Sequence, residues 1–98
     1  MDVYLNIKKV GNNVILAVCD CDLLGRTLKE GNIVFRIKDE FYKGRKATLD
    51  EALGLIRNST IANLVGKNCV EEAISKGYVH PDAVLKIDGV PHAQIMKL

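Results

Sequence analysis

Three cysteines and two histidines are the residues of this 98-residue chain best suited to hold a metal or attack a carbonyl carbon. Cys19 and Cys21 enclose a single residue, whereas structural zinc sites usually place two to four between paired thiolates, and no second pair follows. Both sulfurs would share a face of an extended segment, with His80 or His92 completing a ligand set. The expected state is nonetheless that of buried or half-buried structural thiols, with no metal and no cofactor. Cys21 near a helix start would gain thiolate character from the helix dipole, but Asp20 and Asp22 flank it and oppose that charge.

Other catalytic patterns fail on spacing. Gly66-Lys67 follows a phosphate-loop rhythm, but Ile61 stands where the first glycine belongs and Asn68 where Ser or Thr belongs. No Gly-x-Gly or Gly-x-x-Gly occurs, which removes the dinucleotide fingerprint and the KH-type RNA clamp. What survives is generic: amides opening a helix after Gly66, beside Lys67, can receive an anion. Asp39-Glu40, Asp50-Glu51 and Glu71-Glu72 are sequence neighbours, so each pair points to different sides of its element and makes no acid–base dyad. Serine occurs only at 59 and 75, outside any nucleophile elbow. No catalytic residue is assigned.

Two polar constellations remain. Phe41-Tyr42-Lys43-Gly44-Arg45-Lys46 puts three cations beside aromatic rings in an expected loop between a strand and a helix. Tyr42, Lys43, Arg45 and Lys46 there have the chemistry of RNA contact, cations for phosphates and a ring for a base. In Val90-Pro91-His92-Ala93-Gln94, an extended strand puts His92 and Gln94 on one face with Val90 and Met96, interrupting an apolar row. If buried, both need partners, and Asn63 within the apolar run 61–65 is a candidate. Asn63, His92 and Gln94 thus mark either structural hydrogen bonds, a polar pocket or a partner surface.

The elements that position them follow from hydrophobic period and turn chemistry. Val3, Leu5 and Ile7 alternate with Tyr4, Asn6 and Lys8, the pattern of a half-buried strand, and Val14 to Cys19 is apolar on both faces. Gly11-Asn12 between them, and Asp88-Gly89 between residues 84–87 and 90–96, are two-residue hairpin turns. Pro91 places the last strand at an edge. Ile33, Phe35 and Ile37 point inward from a third alternating run, with Arg36 and Lys38 outward. Thr48 and Glu51 form a capping box for a helix ending near Arg57. Ile61, Leu64 and Val65 have helical spacing closed by Gly66, and Asn68 with Glu71 caps a further helix that stops at Gly77. Residues 20–28 suggest a short helix that Gly25 interrupts.

The expected architecture is one α+β domain over residues 1–98: two layers, a mainly antiparallel or mixed sheet of four to five strands, helices mostly on one face. Fourteen basic against twelve acidic residues leave a charge of +2, too small to dictate a nucleic-acid partner. The longest apolar run, Val14 to Cys19, cannot span a membrane, and Met1-Asp2-Val3-Tyr4 has no signal-peptide character. An odd number of cysteines then fits reduced thiols in the cytoplasm.

Cys19-Asp20-x-x-Leu23-Leu24-Gly25-x-Thr27, Glu30-Gly31, Phe41-Tyr42-x-Gly44, Thr60 to Gly66 and Val90 to Gln94, five segments in order, resemble the archaeal family called domain of unknown function 424. The resemblance implies an archaeal cytosolic protein of compact two-layer architecture, with an association with translation and RNA binding. It carries no catalytic residues. Asp20, Tyr42, Asn63, His92 and Gln94 match its pattern and are the positions hardest to explain as core. The leading expectation is therefore a non-enzymatic RNA- or ribosome-associated module. The alternatives are a protein-interaction module using the C-terminal edge strand, and a small-ligand binder or enzyme around Asn63, His92 and Gln94.

Overall fold

Tight turns at residues 11–12 and 88–89 build the two wings of one sheet, and a long crossover joins them. The computed structural model describes residues 2–97. In chain order it contains β1 (Asp2–Val10), β2 (Asn13–Asp20), a 3₁₀ turn (Cys21–Leu23), β3 (Thr27–Glu30), β4 (Ile33–Arg36), α1 (Asp39–Tyr42) and β5 (Arg45–Thr48). There follow α2 (Leu49–Gly54), a 3₁₀ turn (Leu55–Asn58), β6 (Ile61–Val65), α3 (Lys67–Ser75), a 3₁₀ turn (Pro81–Ala83), β7 (Leu85–Ile87) and β8 (Val90–Met96).

The main sheet has six strands, one more than the upper expectation, in the order β5-β1-β2-β6-β8-β7. It is mixed: β2 and β6 run parallel, and the other neighbours antiparallel. One face carries Val3, Leu5, Leu16, Val18, Ala62 and Leu64 against Leu53 of α2 and Val70 of α3. The expected helical layer is there. The opposite face is covered as well: Ala17, Cys19 and Val65 pack under Leu23, Leu28, Ile37 and Tyr42 from residues 21–42. The domain therefore has a third, partial layer that the two-layer expectation lacked.

Several local expectations are corrected. Residues 61–65 are a strand, not a helical turn. Flanked by β2 and β8, the strand buries Ala62, Leu64 and Val65 from both faces, so its apolar run has no alternation to read. Residues 33–36 form a separate hairpin with β3, outside the main sheet; Ile37 is fully buried, but Ile33 is 48% exposed. The short helix expected over 20–28 shrinks to one 3₁₀ turn, then bends at Gly25 into β3. The expected loop at 41–46 is the end of α1 followed by edge strand β5.

Pro91 is not on the edge strand either, because β7 is outermost. It is tolerated because it faces β6 only at that strand's end: its carbonyl accepts from Gly66 N (3.0 Å), while the Gly66 carbonyl is already turned to Val70 N. The edge reading keeps partial force, since among the described residues β7 pairs with residues 90–92 and leaves the outer side of 93–96 without a strand.

Capping chemistry behaves as expected at α2, where Thr48 Oγ1 accepts from Glu51 N at 3.2 Å. The Glu51 carboxylate turns instead to Arg45, 2.9 Å away on β5. For α3 the cap lies far away in sequence. The Asp20 carboxylate, 4% exposed at the end of β2, accepts from Asn68 N (2.9 Å) and Cys69 N (3.1 Å). Asn68 is thus within the helix, not its cap. Gly77 ends the helix as expected, with φ 81° and bonds from Gly77 N to Ile74 O and from Tyr78 N to Ala73 O. No helix among the described residues is long and apolar enough to cross a membrane.

Candidate functional site

Strand register decides which polar groups meet. Asn63 on β6 is directly opposite Gln94 on β8, and Val65 is opposite His92 two residues along. Side chains two residues apart share a face, so Asn63, Gln94 and His92 project from the same side of the sheet. That side is the one residues 21–42 cover; the cover reaches His92 through Phe35 and leaves Gln94 exposed. A pocket of about 570 Å³ opens between them, with Phe35, Arg36, Lys38 and Phe41 on the covering side and Leu85 and Ile87 of β7 on the floor.

The cover is closed on itself by backbone bonds and tied to the sheet by side chains. Ile37 N donates to Arg26 O (2.9 Å), Gly25 N donates to Ile37 O (2.8 Å), and the Ile37 side chain is fully buried. Asp88 N in the β7–β8 turn donates to the Glu30 carboxylate at 2.9 Å, and Asn6 Nδ2 donates to Phe41 O at 3.3 Å. With Ile37 driven inward, Arg36 and Lys38 on either side of it are left on the pocket rim.

His92 stacks edge-on against Phe35, ring centres 4.5 Å apart. Its Nε2 is buried and has no hydrogen-bond partner among the described residues. Burial also lowers its pKa below the ordinary 6.5. As pH falls, the unfolded chain takes up this proton first, so the contribution to stability is full above about pH 6.5 and is lost below it. Denaturant unfolding at pH 7.5 and 5.5 should show a smaller acid loss in His92→Phe than in the unmodified protein. Equal losses in the two proteins would refute the assignment.

The sequence-selected basic cluster is only partly available. Tyr42 is 3% exposed on the inner side of the cover, so its ring is not a surface on which a base can stack, and burial raises its pKa. This corrects its expected role. Lys43, Arg45 and Lys46 are exposed; Arg45 is engaged by Glu51, and Lys46 lies 5.8 Å from the centre of the Tyr4 ring.

The generic anion site at the start of α3 is also corrected. Its amides already hold the Asp20 carboxylate. Among the described residues no cluster of three or more His, Cys, Asp or Glu has metal-binding geometry. Cys19 is fully buried, and burial, then Asp20, pushes its thiol up to about 12; burial also raises Cys21. His80 is turned to its own helical turn, Nδ1 accepting from Asp82 N at 3.1 Å.

Sequence reasoning therefore located the strand-borne half of the pocket and missed Phe35, Arg36, Lys38 and Phe41 of the cover.

Fold and site together define a mixed α+β domain with a pocket that is apolar in its walls, amide-bearing on its floor and cationic at its rim. The family described as "Protein of unknown function (DUF424)" matches residues 8–98, and the chain belongs to that family. The chain is also similar to a solved structure, the crystal structure of an uncharacterized conserved protein from Methanopyrus kandleri. The two are 31% identical, with a TM-score of 0.84 over 100% of this chain and 95% of that one. Among curated proteins no match is found.

Proposed function

We propose that this domain is a non-enzymatic binding module whose pocket takes an anionic ligand carrying a flat ring. The observation that carries the reading is the lining itself: Phe35 and Phe41 for a ring, Asn63, His92 and Gln94 for hydrogen bonds, Arg36 and Lys38 for negative charge, and no acidic side chain. A cavity of about 570 Å³ is of the size that small-molecule sites use. Lys8, with Nζ 5.6 Å from the centre of the Phe41 ring, adds a third cation beyond that wall. Binding is the function favoured over catalysis because none of the polar groups is paired as nucleophile and base.

Amide-resolved NMR titration with benzoate and naphthalene carboxylates tests this. Binding should shift the Asn63 and Gln94 side-chain amide signals. Arg36→Ala with Lys38→Ala should weaken it about tenfold or more, since a charge-assisted hydrogen bond contributes roughly 1.5–3 kcal/mol. The triple change of Lys43, Arg45 and Lys46 to Ala should leave it unaltered. Shifts confined to residues 42–46 would sink the pocket reading and favour the exposed basic cluster as the binding element; no shifts at all would sink the pocket reading.

A further inference from the structure

Resting on that reading, we propose that the ligand is a nucleotide with an unpaired base: the base lies in the pocket, its hydrogen-bonding edge meets Asn63 and Gln94, and its phosphate meets Arg36 and Lys38.

Three features of the pocket select this class from among flat-ring anions. The first is the floor. Asn63 and Gln94 stand opposite one another across the β6–β8 ladder, so two carboxamides, each with donors and an acceptor, are presented side by side. A simple aromatic acid has nothing on its ring to satisfy them. The edge of a nucleobase carries the matching mixture of donors and acceptors. His92, next along β8, sets its ring beside them; its Nε2 is buried without a partner among the described residues, and a ligand atom satisfies it once the ring turns toward the pocket.

The second feature is the separation of ring site from charge site. Phe35 and Phe41 belong to the wall, while Arg36 and Lys38 flank the inward Ile37 on the rim. A nucleotide divides in the same way, an apolar-faced ring joined through a sugar to an anion. The third is the absence of carboxylates from the lining, which removes the repulsion a phosphate would meet and the partner a cationic ligand would need.

A paired base cannot use the site, since its recognition edge is occupied and its faces are stacked. The pocket chemistry fits a free mononucleotide and one residue of a single strand equally, and Lys8 beyond Phe41 lies where a neighbouring phosphate would gain from it.

The test is calorimetric and NMR titration of the folded protein with the four ribonucleoside monophosphates, a five-residue single-stranded RNA and an RNA duplex. Expected are shifts of the Asn63 and Gln94 side-chain amides, a preference among the four bases, and weak or no duplex binding. Asn63→Ala and Gln94→Ala, each first shown to unfold cooperatively, should reduce affinity for the preferred base about tenfold and level the preference. Arg36→Ala with Lys38→Ala should weaken all bases alike and flatten the salt dependence. Binding of the single strand well above the monophosphates assigns the source as RNA, and equal affinity assigns it as the free nucleotide; both support the inference. If the aromatic carboxylates bind and the monophosphates do not, the nucleotide inference falls and the ring-anion reading stands. If neither class binds, both fall. Duplex binding as tight as single-strand binding, or unchanged affinity in Asn63→Ala and Gln94→Ala, also overturns the inference.

Discussion

Gly66→Ala should lower stability by roughly 3 kcal/mol, seen as a fall in Tm of about 15 °C, because two costs add at one atom. Gly66 has φ 121°, a conformation that strains any residue with a side chain. A Cβ there would also lie within 2.4 Å of the Asp20 carboxyl carbon, and that carboxylate cannot retreat without releasing Asn68 N and Cys69 N. Asp20→Ala alone should cost about 1–3 kcal/mol by leaving two helix-end amides unsatisfied. The double variant separates the two effects. With the carboxylate gone the steric part disappears, so Gly66→Ala should cost about 1 kcal/mol less in the Asp20→Ala background than in the unmodified protein. Strict additivity in denaturant unfolding would show that the close approach carries no energy.

Ile37→Ala should be the most damaging single change in the cover, lowering stability by about 2–4 kcal/mol, within the range for truncating a fully buried aliphatic side chain. Ile37 is 0% exposed, and its backbone makes both bonds that join the later arm of the cover to residues 25 and 26 of its first arm. Arg36 and Lys38 depend on it for their place on the rim. The variant should therefore bind pocket ligands more weakly even though every residue that would touch a ligand is retained. Loss of stability with unchanged affinity, measured at a temperature where the variant is fully folded, would show that the cover does not organise the pocket.

What the sequence reveals and what it hides divide along the range of the interactions. Both hairpin turns, the Thr48 cap and the Gly77 stop depend on neighbours within a few residues, and each is legible. Asn63, His92 and Gln94 are legible as polar interruptions of apolar rows. Residues 61–65 misread because a strand buried on both faces has lost its period, and only pairing with the distant β2 and β8 makes it a strand. The Asp20 cap is invisible for a similar reason: its partner amides lie 48 and 49 residues further on. The cover is the hardest part. Phe35, Arg36, Lys38 and Phe41 acquire a role only once residues 21–42 fold back over the sheet, and no local pattern records that return.

The parallel ladder of β2 with β6 has a kinetic consequence. Each wing of the sheet contains a hairpin closed by two residues, and such units form on the microsecond scale. The seam between the wings pairs Ile15 with Ile61 and Cys19 with Val65, after an excursion that also lays down the cover and an edge strand. Closing so long a loop loses chain entropy before its contacts return any, and topologies dominated by such contacts fold slowly for their size. On this topology the two hairpins are expected to form early and the joining of β2 to β6 to set the rate, so Leu16→Ala or Leu64→Ala at the seam should slow folding in stopped-flow refolding. Until β2 and β6 join, neither Asn63 nor the ring of His92 has a cavity to face.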